Sequence, residues 1–420
     1  MGNFFLLHSL ILLSFTTHFS QSIITHWQDI QSLKELKNSI QPNSLTPGSC
    51  LSSWNFSFDP CQNLFSDKFT CGFRCDIIIS GETRITEISL DQAGYSGSIS
   101  NISWNFPYLQ ILDLSNNLFW GPIPDSLSNL TNLKRITFSH NFLSGSPPIS
   151  LVTLYSLEEL YLDNNNLKGI FPQPALNGLM NLKRLEIQGN QLNGNFPNLG
   201  QLLNLTFIDA SDNSISGEVN PENLPLSLIE LSMRNNHLVG TIPAVFPVTL
   251  QVLDLSHNNL SGSVPSTLFN HPNLQQVTLS FNQLNSIQDP GYSGRGSGLI
   301  AVDLSNNRIR GFLPAFMGLM PKLSALSMEN NLLSGLIPTQ YALKAVYPGN
   351  GLEPFERLLL GGNYLFGPIP GPLMKVKDPG SVTVKLAGNC LYRCPVNLFF
   401  CEGGEQKSLM ECKSFNHVIP

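Results

Sequence analysis

Leu109-Gln110-Ile111-Leu112-Asp113-Leu114-Ser115-Asn116-Asn117 decides the fold, because its pattern returns throughout the chain. The leading Leu and closing Asn recur at Leu133 and Asn141, Leu157 and Asn165, Leu182 and Asn190, Leu205 and Asn213, and Leu228 and Asn236. They continue at Leu250 and Asn258, Leu274 and Asn282, Leu299 and Asn307, and Leu323 and Asn331. Degenerate copies begin at Ile85, with Ala93 in place of the Asn, and at Phe355 and Ser381. The starts step by 22 to 26 residues, apart from one step of 32 into Phe355, which makes about thirteen units. A fixed period in this range marks a stacked array.

The spacing carries its own physics. In L-x-x-L-x-L-x-x-N the fourth and sixth positions point inward, which predicts a short strand with exposed odd neighbours. The Asn at the ninth position sits where the chain turns, and its amide can satisfy backbone groups of adjacent coils. Thirteen stacked coils predict a ladder of such asparagines and a concave sheet roughly 60 Å along its arc. One unit cannot bury its own leucines, whereas the stack can.

Each unit continues into L-x-G-x-I-P or a variant, as in Phe119-Trp120-Gly121-Pro122-Ile123-Pro124 and Leu260-Ser261-Gly262-Ser263-Val264-Pro265. Glycine permits a tight bend, and proline is expected to end hydrogen bonding on the outer face. Here the chain resembles the plant extracellular leucine-rich repeat family, which carries this extension. Its start also resembles that family's cap, through Trp27, Leu51-Ser52-Ser53-Trp54, Pro60-Cys61 and Cys71-Gly72-Phe73-Arg74-Cys75. The resemblance implies an α/β repeat solenoid, a right-handed leucine-rich repeat superhelix with disulfide-bonded caps at both ends. Leu33, Leu36 and Ile40 predict an amphipathic cap helix over the first coil.

Two units depart from the pattern. The one at Leu274 lacks the G-x-I-P extension and runs into a glycine-rich stretch, 291–298, expected as a flexible outer loop. The one after Pro338 carries extra residues within 339–354, expected as an enlarged loop.

The ends point to export. The apolar run at 4–19 reads as a signal segment over 1–22, followed by a cysteine cap at 23–84, repeats at 85–389 and a second cap at 390–420. Cys50, Cys61, Cys71 and Cys75 precede the repeats, and Cys390, Cys394, Cys401 and Cys412 follow them. Two groups of four read as disulfides in an oxidising compartment, with three pairings open within each group and a zinc site as the lesser alternative. Five sequons, at Asn55, Asn101, Asn129, Asn204 and Asn259, are expected glycan acceptors. A formal net charge of −6 argues against nucleic acid, and no further segment reaches the length of a membrane span.

No phosphate loop, H-E-x-x-H or G-x-S-x-G motif is present, and no metal or cofactor is expected. Asp113, Glu186, Asp209, Asp254 and Asp303 share one strand column, and only Glu186 and Asp209 fall on adjacent repeats, where they are expected to be solvated. The expectation is a binding module rather than an enzyme. Its site is expected on the exposed concave positions, at Arg135, His140, Tyr161, Arg184, Glu186, Phe207, Arg234, His257 and Phe281. The Arg-x-Arg pair with which some family receptors hold a peptide carboxylate is absent: Thr137 follows Arg135, Glu186 follows Arg184, and Leu359 follows Arg357. The resemblance implies a secreted receptor-like protein that binds an extracellular protein or peptide ligand and acts with a receptor-kinase ectodomain. The alternative it implies is an inhibitor of a microbial pectin-degrading hydrolase, like the polygalacturonase-inhibiting proteins.

Overall fold

The computed structural model describes residues 24–291, 296–349, 351–376, 382–392, 394, 398–401 and 405–415. The expected signal segment lies outside them, as does half of the glycine-rich stretch that departs from the repeat, 292–295.

Fourteen short strands form one continuous sheet, from Phe73–Arg74 to Thr383–Lys385. The first pairs antiparallel with Glu87–Ser89, and the thirteen that follow are parallel and in register. Each of those thirteen is three residues long, with its middle residue in the core, as Leu112, Ile136, Leu160, Leu185 and Ile208 are. The core is a single apolar column running from Leu33 in the first cap to Cys401 in the last. No coil buries its leucines without its neighbours, so the column exists only as a stack.

The ninth-position asparagines are buried and bridge consecutive coils. Asn213 is typical: its Oδ1 accepts the Leu192 N–H at 3.0 Å, and its Nδ2 donates to Ile187 O in the preceding coil at 3.0 Å. Twelve asparagines, from Asn117 to Asn389, form the ladder, not thirteen, because the first unit has Ala93 at that position.

The L-x-G segments correct the expectation that hydrogen bonding ends on the outer face. They pair in parallel as a second sheet of seven strands, from Ser96–Ser98 to His237–Val239. A pair (Ser261–Val264 with Gln283–Ile287) and a four-stranded sheet from Arg310–Phe312 to Cys390–Tyr392 continue it. The glycine of each extension is what permits this stacking. Gly335 has φ +85°, and a Cβ there would stand 2.5 Å from the Phe312 ring. The residue after one repeat's glycine thus lies over the glycine of the next, which explains why Phe312 is exposed without being adrift.

Both caps are disulfide-bonded, as Cys50–Cys71 and Cys61–Cys75, then Cys390–Cys412 and Cys394–Cys401. These pairings take all eight sulfurs and leave no thiolates for the zinc alternative. The cap helix Trp27–Asn38 buries Leu33 and Leu36 against the first coil. Its Asp29 is locked by Arg84, with Nη2 to Oδ1 at 2.7 Å and the Ile85 N–H donating to Oδ2 at 2.9 Å.

The insertion at 339–354 is not simply a loop. Thr339–Val346 is an α-helix, with Tyr341 and Ala342 buried and the Lys344 Nζ donating to Met320 O at 2.7 Å. Residues of helical spacing at 341, 342 and 345 face the core, and Pro338 supplies an extended entry at its N-terminus.

Candidate functional site

On the inner sheet the first and third residues of each three-residue strand face outward, and the register sets which of them meet. Arg135, Glu159, Arg184, Phe207 and Glu230 are successive neighbours in the first column. Thr137, Tyr161, Glu186, Asp209 and Ser232 are neighbours in the other.

The structure therefore brings Arg135, Tyr161, Arg184, Glu186 and Phe207 together. The Arg184 guanidinium lies 3.5 Å from the centroid of the Phe207 ring and 6.0 Å from that of Tyr161, within reach of the aromatic quadrupoles. Its Nε donates to Glu186 Oε1 at 2.5 Å. Arg135 is held by Glu159, Nε to Oε2 at 2.5 Å, and the Tyr161 hydroxyl donates to the same carboxylate at 3.3 Å. The result is a patch of two rings and two guanidinium groups, each charge already oriented by an acid.

Burial pushes the Tyr161 hydroxyl above its ordinary value, and the Glu159 charge adds to the shift. Asp209 corrects the expectation of a solvated acid pair. Burial raises its carboxyl despite hydrogen bonds from Ser211, and the charges of Glu186 and Asp212 raise it further. Burial raises Glu230 as well, with Arg184 opposing the shift. Glu186 is tied to Arg184 and to the Gln188 amide at 3.1 Å, so it is a positioned partner rather than a free acid.

Four expected residues do not lie on the strands. His140, His257 and Phe281 occupy the eighth repeat position, where φ is +54°, +53° and +56°, in the turn that leads to the buried asparagine. Three strand residues end at the fifth position, so the eighth looks out from the rim of the sheet. Arg234, at the seventh position, is exposed on the same rim. His257 and Phe281 form their own stacked pair, with centroids 4.1 Å apart. His140 Nε2 lies 3.8 Å from Asp163 Oδ2, while the Ser139 hydroxyl donates to Asp163 rather than to the imidazole. That arrangement ties a turn together and does not prepare a nucleophile.

Glu159 and Glu230 were not among the expected site residues. A period-two reading of the strands would place them in the same outward column as Arg184, and that is the signal that could have found them. The sequon residues Asn55, Asn101, Asn129, Asn204 and Asn259 are all exposed and lie outside the inner strands.

Comparison with known proteins agrees with this architecture. The leucine rich repeat family model matches residues 107–167 and 272–333, and a second leucine rich repeat model matches 227–248 and 249–271. An inactive LRR receptor-like serine/threonine-protein kinase of Arabidopsis thaliana, BIR2, is 34% identical over 106 residues, 24% of this chain and 15% of that protein. Among solved structures, PEPR1 with AtPEP1 is similar over 91% of this chain and 55% of its own, at 27% identity and a TM-score of 0.70. The plant peptide hormone receptor RGFR1 in complex with RGF2 is similar over 76% and 50%, at 28% identity and 0.66. The Arabidopsis receptor kinase HAESA, in complex with the peptide hormone IDA and the co-receptor SERK1, is similar over 87% and 66%, at 26% and 0.63. The chain spans about half the length of the first two receptor chains and a small part of the curated relative. The two sheets, the asparagine ladder, the disulfide-bonded caps and these likenesses agree: the chain is a leucine-rich repeat solenoid similar to plant leucine-rich repeat receptors.

Proposed function

We propose that the inner sheet binds an extended peptide, or an extended segment of an extracellular protein, with Tyr161, Arg184 and Phe207 as its central anchor. The observation that carries this reading is the Arg184 guanidinium 3.5 Å from Phe207 and 6.0 Å from Tyr161, three large side chains gathered on consecutive strands of the inner sheet. Aromatic and Arg side chains of this kind dominate binding energy, and here the protein has already ordered them, which lowers the entropy cost of association. Similar receptor structures hold peptide hormones, which supports a ligand of the same class. The absence of an Arg-x-Arg pair argues for a ligand read along its length rather than by a free carboxylate.

The proposal extends to context. The chain acts outside the cell, where its disulfides are stable, carries glycans at the five exposed sequons, and passes ligand occupancy to a receptor-kinase ectodomain. The test is a pull-down from plant and pathogen extracellular extracts, with the double variant Tyr161→Ala and Phe207→Ala alongside. Capture of receptor-kinase ectodomains or a secreted peptide, lost in the folded variant, supports the reading. Capture unaffected by the variant moves the site elsewhere, and capture of a pectin-degrading hydrolase with loss of its activity replaces signalling with inhibition.

A further inference from the structure

A depression of about 360 Å³ lies on the inner sheet well beyond the Tyr161 patch, and it has a specific cause in the sequence. The first outward column carries Gln276, then Ala301 and Ala325, then Arg357 in register. Two consecutive methyl groups between long side chains leave a floor without cover. Asp303 and Ser327, opposite each other in the second column, form one wall. Glu329, two residues beyond Ser327, extends that wall, and Arg357 closes the far rim.

The charges in this depression are not neutralised by contact. Asp303 Oδ1 accepts the Ser305 N–H at 2.9 Å, and among the described residues neither Asp303 nor Glu329 takes part in an ion pair. Glu329 is desolvated, which raises its carboxyl, and the Asp303 charge raises it further against the pull of Lys385. Two carboxylates that repel each other over an apolar floor gain most from a cation with an aliphatic stem. Glu159 and Glu186, on the central strands, differ in that each already has an arginine partner.

We infer that this depression is a specificity pocket for one lysine or arginine side chain of the ligand, its stem on Ala301 and Ala325 and its cationic end between Asp303 and Glu329. The inference rests on the concave-face reading above and adds to it: the ligand must carry a basic residue that reaches this pocket while another part of it covers Tyr161 and Phe207.

The test needs no knowledge of the natural ligand. N-acetylated, C-amidated tripeptides Gly-Lys-Gly, Gly-Arg-Gly and Gly-norleucine-Gly are titrated into the intact chain labelled at alanine methyl groups. Ala301 and Ala325 then report directly from the pocket floor. The expected result is saturable shifts of both methyls with the lysine and arginine peptides and none with norleucine. Asp303→Asn with Glu329→Gln, which keeps shape and removes charge, should weaken that binding at least tenfold. Ala325→Leu, which fills the floor, should abolish the shift at Ala301. Equal shifts with norleucine, unchanged binding in the charge-neutral variant, or no shift with either cation would overturn the pocket. Any of these, with capture still lost on Tyr161→Ala and Phe207→Ala, leaves the concave-face reading standing; capture unaffected by those changes sinks that reading instead.

Discussion

Gln406 supplies the rung that follows the last asparagine of the ladder: its Oε1 accepts the Leu391 N–H at 3.0 Å. Its Nε2 donates to Leu386 O at 3.2 Å, the carbonyl of the coil below. The same two bonds are made by Asn213 to Leu192 and Ile187 in the middle of the stack. The C-terminal cap therefore continues the hydrogen bonding of the repeats with a side chain borrowed from outside them. A solenoid end otherwise exposes unpaired backbone groups and core leucines.

Replacing Gln406 with Ala should leave the Leu391 N–H without its partner and Leu386 O with the Asn389 amide alone, at a cost of about 1–2 kcal/mol. Amide exchange at Leu391 should quicken while exchange at Leu192 stays as it was. Unchanged exchange at Leu391 would mean that the disulfide Cys390–Cys412 alone holds the end.

Asn258 and Asn259 are adjacent and chemically identical, yet only Asn258 is a rung, with its Oδ1 accepting the Leu238 N–H at 2.9 Å and its Nδ2 donating to Met233 O at 3.0 Å. In enzymatically deglycosylated protein, Asn258→Ala should cost about 3 kcal/mol of unfolding free energy, because several buried groups lose their partner together. Asn259→Ala should cost less than about 0.5 kcal/mol, as expected of an exposed side chain. Similar denaturant midpoints for the two variants would remove the ladder as a source of stability.

Reducing agent should lower the melting temperature, and calorimetry should show the ends unfolding first. Each cap closes its longer loop across 21 or 22 residues, and removing a disulfide from such a loop typically costs about 2–5 kcal/mol. A transition insensitive to reduction would show that the cap helix and the Asp29–Arg84 pair suffice.

Asp209 gives a pH signature. Burial raises its carboxyl in the folded state, so the native protein holds the proton more tightly than the unfolded chain does. That contribution is complete below the unfolded value and is lost as pH climbs through the folded one. Asp209→Asn should therefore melt higher than the parent at neutral pH, with the gap closing in acid, and Asn can still accept the Ser211 N–H. A gap that widens on acidification would show instead that the ionised form is stabilised in the fold.

The recurrence of Leu109 to Asn117 was enough to determine a stack, its period, the inward leucines and the structural role of asparagine, because each of these follows from residue type at fixed spacing. The two cysteine groups likewise marked the caps, although their pairings were open until the backbone brought Cys50 to Cys71 and Cys390 to Cys412. Tertiary structure alone decided what depends on register between coils. It set Arg184 beside Phe207, put His257 and Phe281 on the rim, folded 339–346 into a helix and placed Ala301 beside Ala325 to open a pocket. Gln406 shows the limit most clearly, since no repeat spacing points to it. The physical reason is common to all of these: a repeat pattern fixes what each coil buries, while contacts between side chains of different coils depend on how those coils are stacked.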